Sequence, residues 1–363
     1  MTLKKILFIA SHRKDRAPNQ RFRFEQYISF FEKKGFQCIV SPLIATKDED
    51  QLFYSPGNYL KKIPLGFRLG MRRVRDLWRA SQFDIIFIVR EAFFTGGTFF
   101  EQRLSRGKAK VIFDFDDAIW MNVISSNNRI FSWLKDGSKT KRIIARADLV
   151  FAGNDYLASY AHKHNKNVTI IPTTIDTDIY QPAYSASKNK IVIGWSGSVS
   201  TIEHFQFAVP ALKLLKEKFG AKIEIKVIGD ANFKNPELNI VGLPWRLETE
   251  LEDLISIDIG IMPLPDDEWT WGKCGLKGLQ YMALEIPTVM SPVGVNKEII
   301  EDGVNGYLAG EVSEWVEKIS RLIIDPSLRL HLGKNGRQTV INKYSVISQQ
   351  QNYLDQFDAL LKV

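Results

Sequence analysis

Two lysines spaced four residues apart are the clearest indication of chemistry in this sequence. Lys273 and Lys277 flank the start of a predicted helix, Leu276 to Leu284, that follows a loop containing glycine. Residues four apart lie on one helix face, and the first helical turn offers free N–H groups and partial positive charge. The two ammonium groups could therefore reach the same anion, and Gln280 could hydrogen-bond hydroxyl groups. This pattern suggests a nucleotide sugar, although two solvated lysines would show the same spacing.

A second loop and helix start follow in the same segment. A buried strand from Pro287 to Ser291 is predicted to lead into the loop 292–296, which opens a short helix at Lys297. In a parallel sheet both helix starts would face the same end of the sheet. We therefore expect this loop to belong to the same anion site.

A similar strand, loop and helix lie earlier in the chain. The predicted strand Ile191–Trp195 runs into a loop that contains Gly197 and Ser198, before a helix from Phe205 to Phe219. Because Gly197 has no side chain, a diphosphate could approach the backbone closely, and Ser198 offers backbone and hydroxyl donors. We expect this loop to bind the same ligand.

The segment 280–291, QYMALEIPTVMS, resembles the second half of the signature of a large group of retaining GT-B glycosyltransferases, often called family 4. The segment 302–306, DGVNG, continues the resemblance, and residues 170–182 resemble the segment that closes the first domain in that family. The resemblance implies transfer of a sugar from a nucleotide-diphosphate sugar to an acceptor, with retention of stereochemistry. It implies no metal and no cofactor, because that fold holds the diphosphate with helix ends and cationic side chains. The implied donor contacts are Gly197, Ser198, Gly229, Val241, Gln280, Gly294, Val295 and Glu298.

Two departures from the family signature concern the donor site. Gln280 stands where the family has the glutamate that binds the ribose hydroxyls, and an amide can hydrogen-bond a diol only without charge assistance. Gly272 stands where the family has its first glutamate, so Lys273 or an acid from the loop 266–268 would have to hold the sugar. An arginine and a lysine found in many relatives are also absent from the loop after the strand 191–195. We therefore assign the catalytic stabilisation of the leaving diphosphate to Lys273 and Lys277.

The first half of the chain has chemical candidates where predicted strands end. A cationic segment, residues 11–23, follows the first strand and leads into a predicted helix from Phe22 to Lys34. It lacks the glycines of a dinucleotide fingerprint, which argues against a nicotinamide-binding domain. Arg21 and Arg23 could bind the phosphate of an acceptor, since guanidinium groups fit phosphates, or could simply be solvated.

Acidic residues follow another predicted strand, in the segment 114–117. Their carboxylates could bind a divalent metal, hydrogen-bond sugar hydroxyls or act as a base, and one of them could instead cap the following helix. The family resemblance argues against a required metal. We therefore predict a catalytic or sugar contact for Asp116, and acceptor-side positions for Arg90 and Asp117.

The alternation of short apolar strands with helical patterns predicts an α/β fold with parallel sheets. The resemblance extends this prediction to a GT-B fold, with two doubly wound Rossmann-like domains facing across a cleft and a C-terminal helix that crosses back to the first domain. We place the acceptor-side domain at 1–182, a linker at 183–190, the nucleotide-sugar-binding domain at 191–343 and the crossing helix at 344–363. A chain of 363 residues is long enough for two domains.

Composition limits the setting in which the protein works. Two cysteines are too few for a disulfide framework, and no stretch is apolar enough for a signal peptide or a membrane span, which predicts a cytoplasmic protein. The net charge is +8, and the basic excess lies in the N-terminal half. Residues 60–79 combine apolar residues and arginines at helical spacing. This pattern is typical of a peripheral helix at the inner face of the cell membrane, or of an ordinary domain helix.

Three functions are compatible with these patterns. The leading interpretation is a glycosyltransferase with a saccharide or lipid-linked acceptor, as in the assembly of bacterial surface polysaccharides. The second is a nucleotide-sugar epimerase or hydrolase on the same fold, because a fold does not determine its chemistry. The third is a polyanion-binding protein that uses the basic first half, but no nucleic-acid motif is recognised and we expect no nucleic acid partner.

Overall fold

The computed structural model describes residues 3–95, 97–121, 136–183 and 190–362. The chain divides into two compact units, Met1–Pro172 together with Gln350–Val363, and Thr173–Gln349. Each unit has its own parallel sheet with helices, which confirms the predicted doubly wound α/β architecture. Most of the linker predicted at 183–190 lies outside the described residues.

The first unit is built on a six-stranded parallel sheet with strand order β2-β1-β3-β4-β5-β6. Ile6 pairs with Cys38 on one side and with Ile85 on the other, so the strand order changes direction beside the first strand. The strands Ile85–Val89 and Leu149–Ala152 are wholly apolar and buried, as in a sheet with helices on both faces. The strands are β1 (Lys4–His12), β2 (Phe36–Ile44), β3 (Ile85–Val89), β4 (Lys110–Phe115), β5 (Leu149–Ala152) and β6 (Val168–Ile170).

Seven helices connect these strands within the described part of the unit. They are α1 (Pro18–Arg21), α2 (Ile28–Lys33), α3 (Lys47–Tyr54), α4 (Tyr59–Arg79), α5 (Phe99–Leu104), α6 (Ser138–Ile144) and α7 (Asp155–His162). Thr46 begins α3 by accepting the N–H of Glu49, and Asn154 begins α7 by accepting the N–H of Leu157. The long helix α4 buries one face, with Leu65 and Leu69, against the end of β2.

The second unit contains a five-stranded parallel sheet with strand order β13-β12-β11-β7-β8 and a short antiparallel ladder of β9 and β10. Its strands are β7 (Ile191–Ser196), β8 (Ile223–Ile228), β9 (Lys234–Asn235), β10 (Ile240–Val241), β11 (Ile259–Met262), β12 (Thr288–Met290) and β13 (Tyr307–Leu308). Its helices are α8 (Ile202–Phe205), α9 (Val209–Phe219), α10 (Glu250–Ile255), α11 (Glu268–Trp271), α12 (Leu276–Ala283), α13 (Asn296–Ile299), α14 (Val312–Ile324) and α15 (Pro326–Thr339), followed by a π-helical turn at Val340–Tyr344.

The last helix, α16 (Val346–Lys362), begins in the second unit and continues into the first from Gln350 onwards. Its side chains Tyr353 and Phe357 are buried, and their ring centroids lie 5.8 and 5.0 Å from that of Phe31 on α2. Both also contact Phe151 of β5. The end of α16 therefore completes the aromatic core of the first unit.

Candidate active site

Helix α12 is fastened to the end of strand β7. The Tyr281 hydroxyl accepts a hydrogen bond from the N–H of Ser196, at 2.7 Å, and donates one to Ser196 Oγ, at 3.1 Å. One turn earlier on α12, Lys277 Nζ lies 4.6 Å from the centroid of the Trp195 ring. The first turn of α12 therefore stands beside the loop that follows β7, at the carboxyl end of the parallel sheet where ligands of such folds bind.

A second lysine joins an aromatic side chain in the same region. Lys273 Nζ lies 3.8 Å from the centroid of Trp269 on α11, whose ring centroid is 5.1 Å from that of His204 on α8. A cation over an aromatic ring is held in place without losing its charge. The five residues Trp195, His204, Trp269, Lys273 and Lys277 form what we call the Lys–Trp cluster.

The electrostatics of the Lys–Trp cluster favour an anionic ligand. Burial, together with the charge of Lys273, lowers the pKa of Lys277 to about 7. Burial, followed by the charges of Lys277 and Lys273, lowers the pKa of His204 to about 4 against the opposing effect of Asp267. Among the described residues, no carboxylate lies within ion-pair distance of Lys277. A phosphate could therefore supply the counter-ion that Lys277 lacks among the described residues.

Glycines let backbone segments meet beside this cluster. A Cβ atom on Gly197 would lie 2.2 Å from the Trp195 ring, and one on Gly229, where φ is 129°, would lie 2.3 Å from the carbonyl oxygen of Gly197. The N–H of Ser198 donates to Thr201 Oγ1 at 3.0 Å. Ser198 thus begins a short 3-10 turn, and the N–H that we expected as a ligand donor is engaged within that turn.

The loop before α13 packs against the end of α11. Gly294 has φ of 51°, and a Cβ atom there would lie 3.1 Å from the backbone of Trp271. Of the other predicted donor contacts, Glu298 and Val241 are exposed, whereas Val295 is buried. Glu298 and Val241 are therefore open to a ligand and Gly294 is partly so, while Val295 could contribute only its backbone or a small part of its side chain.

Gln280 is buried and has partners inside the second unit. Its Nε2 lies 3.1 Å from Tyr180 Oη and 3.4 Å from Glu250 Oε1. Glu250 also accepts hydrogen bonds from Tyr180 Oη and from Trp245 Nε1, both at 2.9 Å. The amide N–H groups of Gln280 thus hydrogen-bond to Tyr180 and Glu250. A contact from Gln280 to a ribose would therefore have to use its amide oxygen. Sequence reasoning missed Glu250, because two of its partners, Tyr180 and Gln280, are distant in the chain.

In the first unit, Arg90 and Asp116 come together where β3 and β4 end. Nε and Nη2 of Arg90 lie 2.8 and 2.6 Å from Asp116 Oδ1, and Nη2 lies 3.8 Å from Asp117 Oδ2. Arg90 has φ of 61°, in the left-handed region that residues other than glycine rarely adopt. Such backbone strain concentrates at functional sites. The strand ends thus bring together three of the residues predicted for the catalytic and acceptor side.

Arg23 holds a structural position rather than the acceptor-side position that we predicted. It is fully buried, and its Nη2 and Nε lie 2.5 and 3.2 Å from the carboxylate oxygens of Asp114, which is also fully buried. A further hydrogen bond runs to the carbonyl oxygen of Ile171. Because its guanidinium is enclosed, the prediction for Arg23 is wrong. Arg21 is partly exposed and lies 4.9 Å from the ring centroid of Phe22.

The acidic segment 114–117 is divided between different partners. Asp114 binds Arg23, whereas Asp116 binds Arg90. Across the described residues, no group of three or more His, Cys, Asp or Glu side chains is placed to hold a metal ion. In that same part of the chain, no helix is both long enough and apolar enough to cross a membrane.

Comparisons with known proteins agree with this geometry. A family model described as "Glycosyl transferases group 1" matches residues 190–325, which contain the Lys–Trp cluster. CapM of Staphylococcus aureus, a capsular polysaccharide biosynthesis glycosyltransferase, is 26% identical over 43% of this chain and 43% of its own. N-acetyl-alpha-D-glucosaminyl L-malate synthase of Bacillus anthracis is 22% identical over 55% of this chain and 57% of its own. The alignments thus span about half the length of these two curated relatives.

Solved structures match over nearly the whole chain. Sucrose-phosphate synthase of Thermosynechococcus elongatus superposes with a TM-score of 0.68 at 12% identity, covering 99% of both chains. HepE of Anabaena, solved with UDP-glucose, superposes with a TM-score of 0.68 at 14% identity, covering 98% of this chain and 99% of HepE. At these identities the likeness concerns the fold alone.

The two parallel sheets with their helices define a GT-B fold. The segment that matches the group 1 glycosyltransferase model, residues 190–325, lies within the second unit. The resemblance found in the segment 280–291 is thereby confirmed.

Proposed function

We propose that the protein transfers a glycosyl group from a nucleotide-diphosphate sugar to an acceptor hydroxyl, with retention of stereochemistry and without a metal. The observation that carries this proposal is the Lys–Trp cluster, in which Lys277 has a pKa of about 7 and no carboxylate partner among the described residues. A diphosphate would supply the missing counter-ion. The relatives support the donor class, since HepE was solved with UDP-glucose.

Catalysis would rest on charge stabilisation at the leaving group. When the bond between the sugar and the diphosphate breaks, negative charge develops on the departing oxygen. The ammonium groups of Lys273 and Lys277 and the free N–H groups at the start of α12 would stabilise that charge. In the first unit, Asp116 would contact a sugar or the acceptor in an orientation fixed by Arg90, with Asp117 beside it.

Binding of nucleoside diphosphates provides the direct test. We expect UDP or another nucleoside diphosphate to bind the wild-type protein, as measured by isothermal titration calorimetry. Lys277→Ala should bind at least about tenfold more weakly, because a charge-assisted contact is lost. Lys334→Ala removes an exposed lysine of α15 and serves as the matched control. Equal affinity and turnover in Lys277→Ala and wild type would overturn the proposal.

Two further measurements address the chemistry. Proton NMR of the product anomer should show the same configuration as the donor. Transfer should also persist after treatment with EDTA, whereas loss of activity that added metal restores would contradict metal independence.

The acceptor that we propose is a saccharide or lipid-linked saccharide used in bacterial surface polysaccharide assembly. The match to a capsular polysaccharide glycosyltransferase supports this setting. The basic excess of the N-terminal half, where the acceptor-side residues lie, favours an acceptor that carries negative charge.

We also infer that helix α4 rests on an anionic membrane surface, at the inner face of the cell membrane. Its apolar residues Leu60, Ile63, Phe67 and Trp78 are 83, 68, 73 and 76% exposed, although the opposite face of the helix is buried. Lys61, Arg68 and Arg75 are exposed on the same helix. An exposed apolar stripe flanked by basic residues is suited to the headgroup region of anionic lipids.

Flotation with vesicles tests this surface. We expect the protein to float with vesicles that contain phosphatidylglycerol at low salt and to remain unbound with purely zwitterionic vesicles. Phe67→Ser combined with Trp78→Ser should abolish flotation. Ile324→Ser, which changes an apolar residue of α14 that is 67% exposed in the second unit, should leave it intact. Unchanged flotation of the α4 variant would refute membrane contact through α4.

A further inference from the structure

A second group of polar side chains lies where the strand order of the first unit changes direction. β1 has β2 on one side and β3 on the other, and ligands of doubly wound sheets bind beyond the carboxyl ends of the strands at such a point. His12 ends β1, Arg13 follows it, and Arg90 follows β3. Sequence reasoning singled out the cationic segment here but chose Arg21 and Arg23, not His12 and Arg13.

Three polar atoms of this group are shielded from solvent and lack a hydrogen-bond partner in the described structure. They are His12 Nδ1, Arg13 Nε and Asp50 Oδ1. His12 Nδ1 and Asp50 Oδ1 are 3.8 Å apart, which is too long for a hydrogen bond. Polar groups that are shielded from solvent nearly always have hydrogen-bond partners in native proteins. Leaving such a hydrogen bond unmade costs free energy of folding. Three such atoms together indicate a place that a ligand completes.

The other polar atoms of His12 and Asp50 that the structure describes are held by the protein. Arg16 Nε donates to Asp50 Oδ2 at 2.8 Å, and Tyr54 Oη lies 3.2 Å from His12 Nε2. The N–H of His12 donates to Gln20 Oε1 at 2.8 Å. His12 and Asp50 are therefore each fixed through one side-chain atom while another is left without a partner. This arrangement is expected of a preorganised site rather than of a disordered surface loop.

The charges around His12 define what this group can bind. Burial and the charges of Arg16, Arg13 and Arg90, opposed by Asp50, lower the pKa of His12 to about 4, so the imidazole is neutral at neutral pH. Neutral His12 Nδ1 and Asp50 Oδ1 are suited to sugar hydroxyl groups, whereas Arg13 Nε is a charged donor suited to a phosphate oxygen. A sugar phosphate carries both hydroxyl groups and phosphate oxygens.

We propose that His12, Arg13 and Asp50 bind the glycosyl phosphate group of the acceptor, with hydroxyls at His12 and Asp50 and a phosphate oxygen at Arg13. The inference rests on the proposed transferase function, and it specifies the acceptor as a saccharide attached through phosphate. The phosphate could belong to a soluble glycosyl phosphate or to a lipid-linked saccharide.

Helix α3 connects this group to α4. Asp50 of α3 pairs with Arg16, while its neighbour Glu49 pairs with Arg72 and Arg68 of α4, at 2.7 and 3.3 Å. Glu49 is buried, and its pKa is lowered to about 2 by the hydrogen bond from Arg72. The phosphate site and the helix that carries the exposed apolar stripe are thus joined by adjacent residues, which favours a lipid-linked source for the phosphate.

Calorimetric titration of the full chain tests the site, with a hexose 1-phosphate, the free hexose and inorganic phosphate as probes. We expect the hexose 1-phosphate to bind more tightly than either fragment. Arg13→Gln should weaken it at least about tenfold, as expected for loss of a charged hydrogen bond. Lys14→Gln removes the exposed cation next to Arg13 and serves as the control. Its affinity for the hexose 1-phosphate should stay within about twofold of wild type, because an exposed charge contributes little.

A vesicle experiment separates the two sources of phosphate. Vesicles with and without a polyprenyl-phosphate-linked sugar are compared for wild type and Arg13→Gln. Extra binding that depends on both the lipid and Arg13 would identify the lipid-linked source, whereas hexose 1-phosphate binding alone would identify the soluble one. If neither probe distinguishes Arg13→Gln from wild type, the inference is wrong. UDP titration of the same samples reports on the transferase proposal separately, because its site lies in the second unit.

Discussion

Tyr281 and Ser196 join helix α12 to strand β7 through two hydrogen bonds of one hydroxyl group. The Tyr281 hydroxyl is fully enclosed, and burial raises its pKa to about 12, against the effect of its hydrogen bonds with Ser196. The N–H of Ser196 has this hydroxyl as its acceptor, at 2.7 Å. The position of Lys277, one turn earlier on α12, therefore depends on a tyrosine that would not contact a ligand itself.

Tyr281→Phe should lower the free energy of unfolding by about 1–3 kcal/mol, because it leaves a buried N–H without an acceptor. It should also weaken UDP binding, since the first turn of α12 loses its tie to β7. Urea denaturation and calorimetry measure the two effects. Tyr59→Phe, at an exposed position on α4, is the control that should change neither. A Tyr281→Phe protein with wild-type stability would show that Ser196 finds another partner.

The affinity for UDP should fall as pH rises above about 7. In the free protein Lys277 has a pKa of about 7, so at higher pH a diphosphate must bind together with a proton. The limiting slope is about tenfold in affinity for each pH unit. Titrations in buffers of different ionisation enthalpy would detect the proton uptake at pH 8. Lys277→Gln should remove the dependence. A flat affinity between pH 7 and 9 in wild type would mean that Lys277 does not pair with the diphosphate.

His204 should make the protein less stable in acid. Its pKa is lowered from 6.5 to about 4, so between these values the unfolded chain binds a proton that the native protein does not. The stability associated with a neutral His204 is therefore complete above pH 6.5 and is lost as pH falls through about 4. The loss should be on the order of 3 kcal/mol. His204→Gln should reduce this pH dependence, while His331→Gln, at an exposed position, should not. If the free energy of unfolding depended on pH in the same way in wild type and His204→Gln, this role of His204 would be wrong.

Arg23→Gln should destabilise the first unit by about 3–5 kcal/mol, because it leaves the carboxylate of Asp114 buried without its cation. Arg21→Gln, two residues earlier and partly exposed, should change the free energy of unfolding by less than about 0.5 kcal/mol. Denaturation curves for the two variants provide the comparison. Near-equal stability of both would show that Arg23 has no structural role.

The sequence was sufficient to predict elements whose signals are local. The strands appear as short apolar runs, and α12 begins at Leu276, where a helix is predicted after a loop containing glycine. The predicted helix from Phe22 to Lys34 is instead divided into a short 3-10 turn at Glu25–Tyr27 and α2, because Arg23 and Phe24 are drawn into the core. That displacement depends on Asp114, a partner 91 residues away.

The side chains that surround the lysines could not be predicted in the same way. Trp195, His204 and Trp269 lie on three separate elements, and only the packing of α8 and α11 near β7 brings them to one place. A single histidine in an apolar helix is usually a satisfied core residue. His204 is distinguished by its buried Nδ1 without a partner, which only coordinates can reveal.

The path of α16 affects how the protein is made. The second unit is continuous in the chain, from Thr173 to Gln349, whereas the first unit includes Tyr353 and Phe357 in its aromatic core. During synthesis these two side chains leave the ribosome only after the whole second unit. The unit that is translated first is therefore the one whose folding finishes last, and until then its incomplete aromatic core is exposed to chaperones and to aggregation.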